Sequence, residues 1–101
     1  MIHDFIALFK AILALKGQIE QDVLPRFSYR RQDKAHLLVR HLYSRPVLDI
    51  KAIAKLLETT PNTANALVTD FVKHGVLFEV TGQQRNRLFV FKHYLALFNT
   101  K

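Results

Sequence analysis

Residues 49–75 read DIKAIAKLLETTPNTANALVTDFVKHG, and the spacing of their apolar side chains predicts two short helices separated by a tight turn. Ile50, Ile53, Ala54 and Leu57 recur at three- and four-residue steps, the period of one helix face. Asp49 stands just before them, where a carboxylate can accept from an otherwise unpaired first-turn amide, so a helix over 50–57 is expected. Glu58, Thr59 and Thr60 form the turn. Thr60 is a second N-cap, and Pro61 takes the first helical position, where a missing N–H costs nothing. The second helix runs over 61–74, with Ala64, Leu67, Val68, Phe71 and Val72 inward and Gly75 as a left-handed terminator.

After Gly75 the period changes from helical to alternating. Residues 76–81 and 87–92 are expected as the strands of a β-hairpin, with a polar, basic tip over 82–86. Residues 93–98 read as a short closing helix, with Tyr94, Leu97 and Phe98 packing back. Upstream, Pro46, Val47 and Leu48 make a very short extended piece. A helix from Gln32 or Asp33 to about Tyr43 turns Ala35, Leu38, Val39 and Leu42 inward. Residues 3–23 read as one long helix on Ile2, Phe5, Ile6, Phe9, Ile12, Leu13 and Ile19, stopped at about Leu24 by Pro25. Leu8 and Leu15 widen that apolar stripe beyond one packing face.

Two short helices joined by a short turn and followed by an arginine-bearing hairpin is the order of a winged helix-turn-helix. The expected fold is therefore mainly α with a small β-hairpin. Residues 1–43 form a helical extension, for linking or dimerisation, and residues 44–101 the winged helix-turn-helix domain. In this architecture the first helix of the pair holds the second at a steep angle, so that the second presents a polar face to a major groove. On the 61–74 helix that face carries Asn62, Thr63, Asn65, Ala66, Thr69, Asp70 and Lys73. Asn62 and Asn65 suit an adenine edge, and Thr63 and Thr69 suit phosphate or a thymine methyl. Gln83, Gln84, Arg85 and Arg87 offer the hairpin to the DNA backbone or minor groove. Binding of double-stranded DNA is one expectation. The alternative is a protein-interaction or dimerisation platform, because Asn and Thr near a helix start also serve as caps and because fold does not settle function. Phe5, Leu8, Phe9, Ile12, Leu15 and Ile19 are the candidate self-association residues.

Composition narrows the classes. The 101 residues hold 15 Lys and Arg against 8 Asp and Glu, a net charge of +7. The excess lies outside the first helix: residues 1–24 net −1 (Lys10 and Lys16 against Asp4, Glu20 and Asp22), whereas residues 25–34 net +3 (Arg26, Arg30, Arg31 and Lys34 against Asp33). A basic balance favours polyanionic partners. With half of the residues apolar and eight Phe, a chain of this length buries roughly 60–65% of its extended surface and needs no staples. The absence of Cys removes disulfides and thiolate chemistry and suits a reducing compartment. The longest apolar run, 5–15, is broken by Lys10 and is shorter than the ~20 residues that span a bilayer. A cytoplasmic protein without a membrane segment is expected. No cofactor or metal site is expected, since His36 and His41 are five apart and cannot share a helix face. No catalytic residues are expected either, because Ser28 and Ser44 have no base nearby in sequence.

The stretch 44–98, SRPVLDIKAIAKLLETTPNTANALVTDFVKHGVLFEVTGQQRNRLFVFKHYLALF, resembles the C-terminal winged-helix region of bacterial Fic-family proteins. The resemblance is carried by RPV at 45–47, TPNTAN at 60–65, HGVLFEVTG at 74–82, RNRLFVF at 85–91 and YLALF at 94–98. Residues 1–43 are similar, less specifically, to the helices that join the catalytic domain of that family to this module. Catalytic Fic proteins transfer AMP from ATP to a protein hydroxyl, using a His-Pro-Phe segment and a Gly-Asn-Gly-Arg loop. Neither motif occurs here: His3, His36, His41, His74 and His93 are each followed by another residue. The resemblance thus implies an accessory piece that is not itself an enzyme. It would be a fragment of a longer protein or a stand-alone relative of its tail, positioning or regulating an adenylyltransferase domain.

Overall fold

The computed structural model describes residues 5–82 and 87–98. Phe5–Gln18 is an α-helix (α1). The expected long helix then changes gauge. Ile19–Val23 is a π-helical turn and Leu24–Arg26 a 3-10 turn holding Pro25. The amide of Leu24 bonds the carbonyl of Ile19, five residues back. That wider turn sets Ile19 and Leu24 one above the other, and both are buried. Residues 1–4, including Ile2 of the proposed stripe, lie outside the described residues.

Helix α2 spans Tyr29–Leu42 and starts earlier than expected. Its first turn is polar and carries no inward apolar residue, so periodicity alone could not find it. The glutamine amide of Gln32 donates to the carbonyl of Phe27 (3.1 Å) and steadies that turn. As expected, Ala35, Leu38, Val39 and Leu42 are buried.

Val47–Asp49 forms strand β1, and Ile50–Leu56 and Pro61–Lys73 form α3 and α4. Both caps are made. The Asp49 carboxylate accepts from the Ala52 amide (2.8 Å), and the Thr60 hydroxyl oxygen accepts from the Thr63 amide (3.1 Å). Each such cap is worth about 1 kcal/mol. Helix α4 ends in a Schellman arrangement: the Val76 amide bonds the Phe71 carbonyl (2.9 Å) and the Gly75 amide the Val72 carbonyl (3.0 Å). Gly75 takes the left-handed conformation this requires (φ 77°). Ala64, Leu67, Val68 and Phe71 face the core, but Val72 is 39% exposed. It sits at the edge of the apolar stripe, one residue beyond Phe71.

The hairpin strands are shorter than the alternation implied. Phe78–Glu79 is β2 and Leu88–Val90 is β3. Val76 and Leu77 are both buried, which breaks alternation, because Val76 closes the end of α4 before the chain enters the strand. The short extended piece β1 joins the hairpin in a three-stranded antiparallel sheet of order β1-β3-β2. Leu48 lies opposite Phe89 in the β1–β3 register, and both are buried. Helix α5 spans Lys92–Ala96. Tyr94 packs against Tyr43 and Phe91 at ring distances of 5.2 Å, and its hydroxyl donates to the Tyr43 carbonyl (3.0 Å). Phe98 stays largely exposed and touches Tyr94 edge-on.

One buried cluster joins Leu24, Phe27, Leu38 and Leu42 to Ile53, Leu67, Phe71, Phe89 and Phe91. The core therefore crosses the 43/44 boundary, and α2 is part of the packed body. Ile19, a candidate association residue, is 3% exposed and belongs to this core. It is unavailable for pairing with a second chain, because the π turn rotates it inward.

Candidate nucleic-acid interface

Helix α4 has an apolar face that anchors it and a polar face that is largely exposed among the described residues. At 3.6 residues per turn, Asn62, Thr69 and Lys73 stack on one stripe, since they are seven and four residues apart. All three are exposed. The Thr69 hydroxyl donates to the Asn65 carbonyl one turn back (2.8 Å). Thr63 is exposed but already engaged, because its amide and hydroxyl both bond the capping Thr60.

The sheet approaches one flank of this stripe. Arg87, just before β3, is two residues from Phe89, and Glu79 faces Phe89 across the ladder. The Arg87 guanidinium donates to the Asn65 side-chain oxygen (2.6 Å), lies 3.7 Å from the Glu79 carboxylate and covers the Phe89 ring at 5.3 Å. A predicted hairpin residue and a predicted helix residue are thus in contact. Asn62, Asn65 and Arg87 also border a cleft of about 320 Å³ with Lys51 and Asp49 from the start of α3. Gln83, Gln84 and Arg85 lie outside the described residues.

The other flank holds what sequence reading missed. Asp70, one residue off the stripe, is the acidic residue of the outward face. It is ion-paired with Arg31 at the start of α2 (2.5 Å), both side chains being partly exposed. Arg26, Arg30 and Lys73 gather around the same pair. The cluster of cations in 25–34 is visible in the sequence. Its placement beside α4, some 39 residues along the chain from Arg31 to Asp70, is a tertiary fact with no local signal.

Of the association residues, Phe5 and Phe9 are exposed, and Leu8 and Ile12 are half-buried. Leu15 packs against the core. Together with Ile19, Phe91 and Leu97 it lines an apolar groove of about 640 Å³ between α1 and the C-terminal turns. Among the described residues no three His, Asp or Glu side chains converge. No helix among them is long and apolar enough to cross a membrane. Comparison with known proteins finds no matching family model, no similar curated protein and no similar solved structure.

Proposed function

We propose that the chain is a duplex DNA-binding module of the winged helix-turn-helix kind, with α4 as the reading helix and the β2–β3 hairpin as the wing. The observation that supports this most is the Arg87–Asn65 contact. It holds a wing cation and a base-reading amide side by side at the edge of an exposed polar stripe. On DNA the Asn65 amide would exchange its guanidinium partner for the N6 and N7 edge of an adenine, and Arg87 would turn to phosphate or the minor groove. Asn62, Thr63, Thr69 and Lys73 complete the helix contacts, and Gln84 and Arg85 those of the hairpin tip. Fluorescence anisotropy with a randomised duplex pool at two salt concentrations tests the reading. Asn65→Ala should relax preference at one base pair, worth about 1–3 kcal/mol. Arg87→Ala should lower the salt slope by about one. Failure to enrich any sequence, with affinity lost near physiological salt, rejects it.

The resemblance of 44–98 to Fic-family tails supports placing this module in, or beside, a Fic-like protein, with no adenylyl transfer of its own. Incubation with labelled ATP and candidate proteins should leave them unlabelled. Labelling that depends on the chain would overturn that assignment. The second reading, an association platform, is favoured by α1, on which Phe5 and Phe9 are 72% and 61% exposed.

A further inference from the structure

We infer that the groove between the start of α2 and the end of α4 is a second phosphate-binding surface for the same duplex, with Arg31 and Asp70 as its floor. The inference rests on the DNA-binding reading above. Among the described residues, Arg26, Arg30, Arg31 and Lys73 line an open groove of about 570 Å³ in which Asp70 is the one carboxylate. That is an excess of three positive charges on one side of α4. Their convergence is built by the fold. The 3-10 turn carries Arg26, whose Nε donates to the Asp22 carbonyl (2.8 Å), and the first turn of α2 carries Arg30 and Arg31.

The groove also lies where a phosphate strand would run. Helix α4 has 13 residues, about 20 Å at 1.5 Å per residue, whereas the major groove of B-DNA is about 12 Å wide. A helix that enters with Asn62 leading therefore leaves its last turns, with Asp70 and Lys73, level with the flanking backbone. Lys73 belongs both to the outward stripe and to this groove, so the two surfaces are continuous. The ion pair has two consequences. Arg31 cancels the charge of Asp70, which removes the repulsion that a bare carboxylate would exert on phosphate. Asp70 in turn holds Arg31 against α4 and sets an upper limit on how strongly the groove attracts DNA.

The test uses the full chain with two variants. Arg26→Gln combined with Arg30→Gln removes two charges from exposed positions, and circular dichroism verifies that both proteins are folded. Each neutralised phosphate contact contributes about 0.9 to the slope of log affinity against log salt. The double variant should therefore lose about two from that slope on every duplex while keeping the base preference that depends on Asn65. Asp70→Asn should tighten binding about two- to threefold at low salt, as expected for one charge removed several ångströms from phosphate in water. An unchanged slope in the double variant overturns the groove even where the Asn65-dependent preference stands. A wild type that prefers no sequence, yet whose slope falls in the double variant, overturns the reading role of α4 and supports the groove. A wild type that binds no duplex at low salt overturns both.

Discussion

The hydroxyl of Tyr43 is the one buried side-chain polar atom without a hydrogen-bond partner among the described residues. Its ring meets Phe91 and Tyr94 edge-on at 5.3 and 5.2 Å. Burial, and then the nearby Glu20 and Tyr94, push its pKa up to about 12 from 10.0. The folded state therefore holds this proton more tightly than the unfolded chain does. The stability it contributes is complete below pH 10 and is lost as pH rises through about 12. Tyr43→Phe removes the unsatisfied group and should raise stability by about 1 kcal/mol at neutral pH. Urea midpoints at pH 8 and pH 11 should fall further for the wild type than for this variant, and equal falls would exclude Tyr43 as the source. Phe71 is the opposite case: fully buried, with its ring 4.8 Å from Phe27. Phe71→Ala should cost about 3–5 kcal/mol through lost transfer energy and the cavity left behind, a large share of the ~5–15 kcal/mol typical of a domain. A loss under ~1 kcal/mol in a urea melt would remove Phe71 from the core.

Between α3 and α4 the chain turns through Glu58, the only non-glycine residue with positive φ (52°) among those described. The Thr59 amide reaches the Ala54 carbonyl (2.9 Å) and the Glu58 amide the Lys55 carbonyl (3.3 Å). This is the Schellman pattern that closes α4, with Glu where α4 has Gly75. A left-handed L-residue costs roughly 1–2 kcal/mol, and glycine returns part of that gain as unfolded-state entropy. Glu58→Gly should therefore stabilise by about 0.5–1 kcal/mol, whereas Gly75→Ala should destabilise by about 1–2 kcal/mol. An added Cβ at Gly75 meets nothing within 4 Å, so the latter cost is purely that of the backbone. Thermal melts of the two variants should move in opposite directions; a shared direction would refute this account of the turns. These two helices were the most legible part of the sequence because Asp49, Thr60, Pro61 and Gly75 mark their ends chemically. The start of α2 was not legible, since residues 29–32 bear no inward apolar residue: Tyr29 is exposed. Neither was the pairing of β1 with β3, because a three-residue strand carries too little pattern to name its neighbour.

Across the whole molecule, the polar face of α4 could be listed from periodicity, but its neighbours could not. Arg87 beside Asn65 depends on the register of the sheet, and Arg31 beside Asp70 on where the first turn of α2 lands relative to the end of α4. Helix α1 was legible as an over-wide apolar helix, and the fold divides its stripe. Leu15, and Ile19 in the π turn that follows, turn to the core, while Phe5, Ile6, Phe9 and Leu13 stay exposed. No residue of α1 is fully buried, although a helix apolar on most sides normally is. A Phe side chain offers about 150–250 Å². The four exposed residues therefore leave on the order of 400–500 Å² uncovered, within the ~300–600 Å² range of the largest patch on a typical monomer. Because such patches are often functional, the association platform predicts that α1 pairs with α1 of a second copy about a two-fold axis, the commonest closed arrangement. Sedimentation at low micromolar concentration should show a dimer. Phe5→Glu with Phe9→Glu should return a monomer, because a carboxylate buried at the axis would face its own symmetry mate. The urea midpoint of that variant monomer should show the core intact, since neither residue belongs to it. A wild type that sediments as a monomer at these concentrations would refute the pairing.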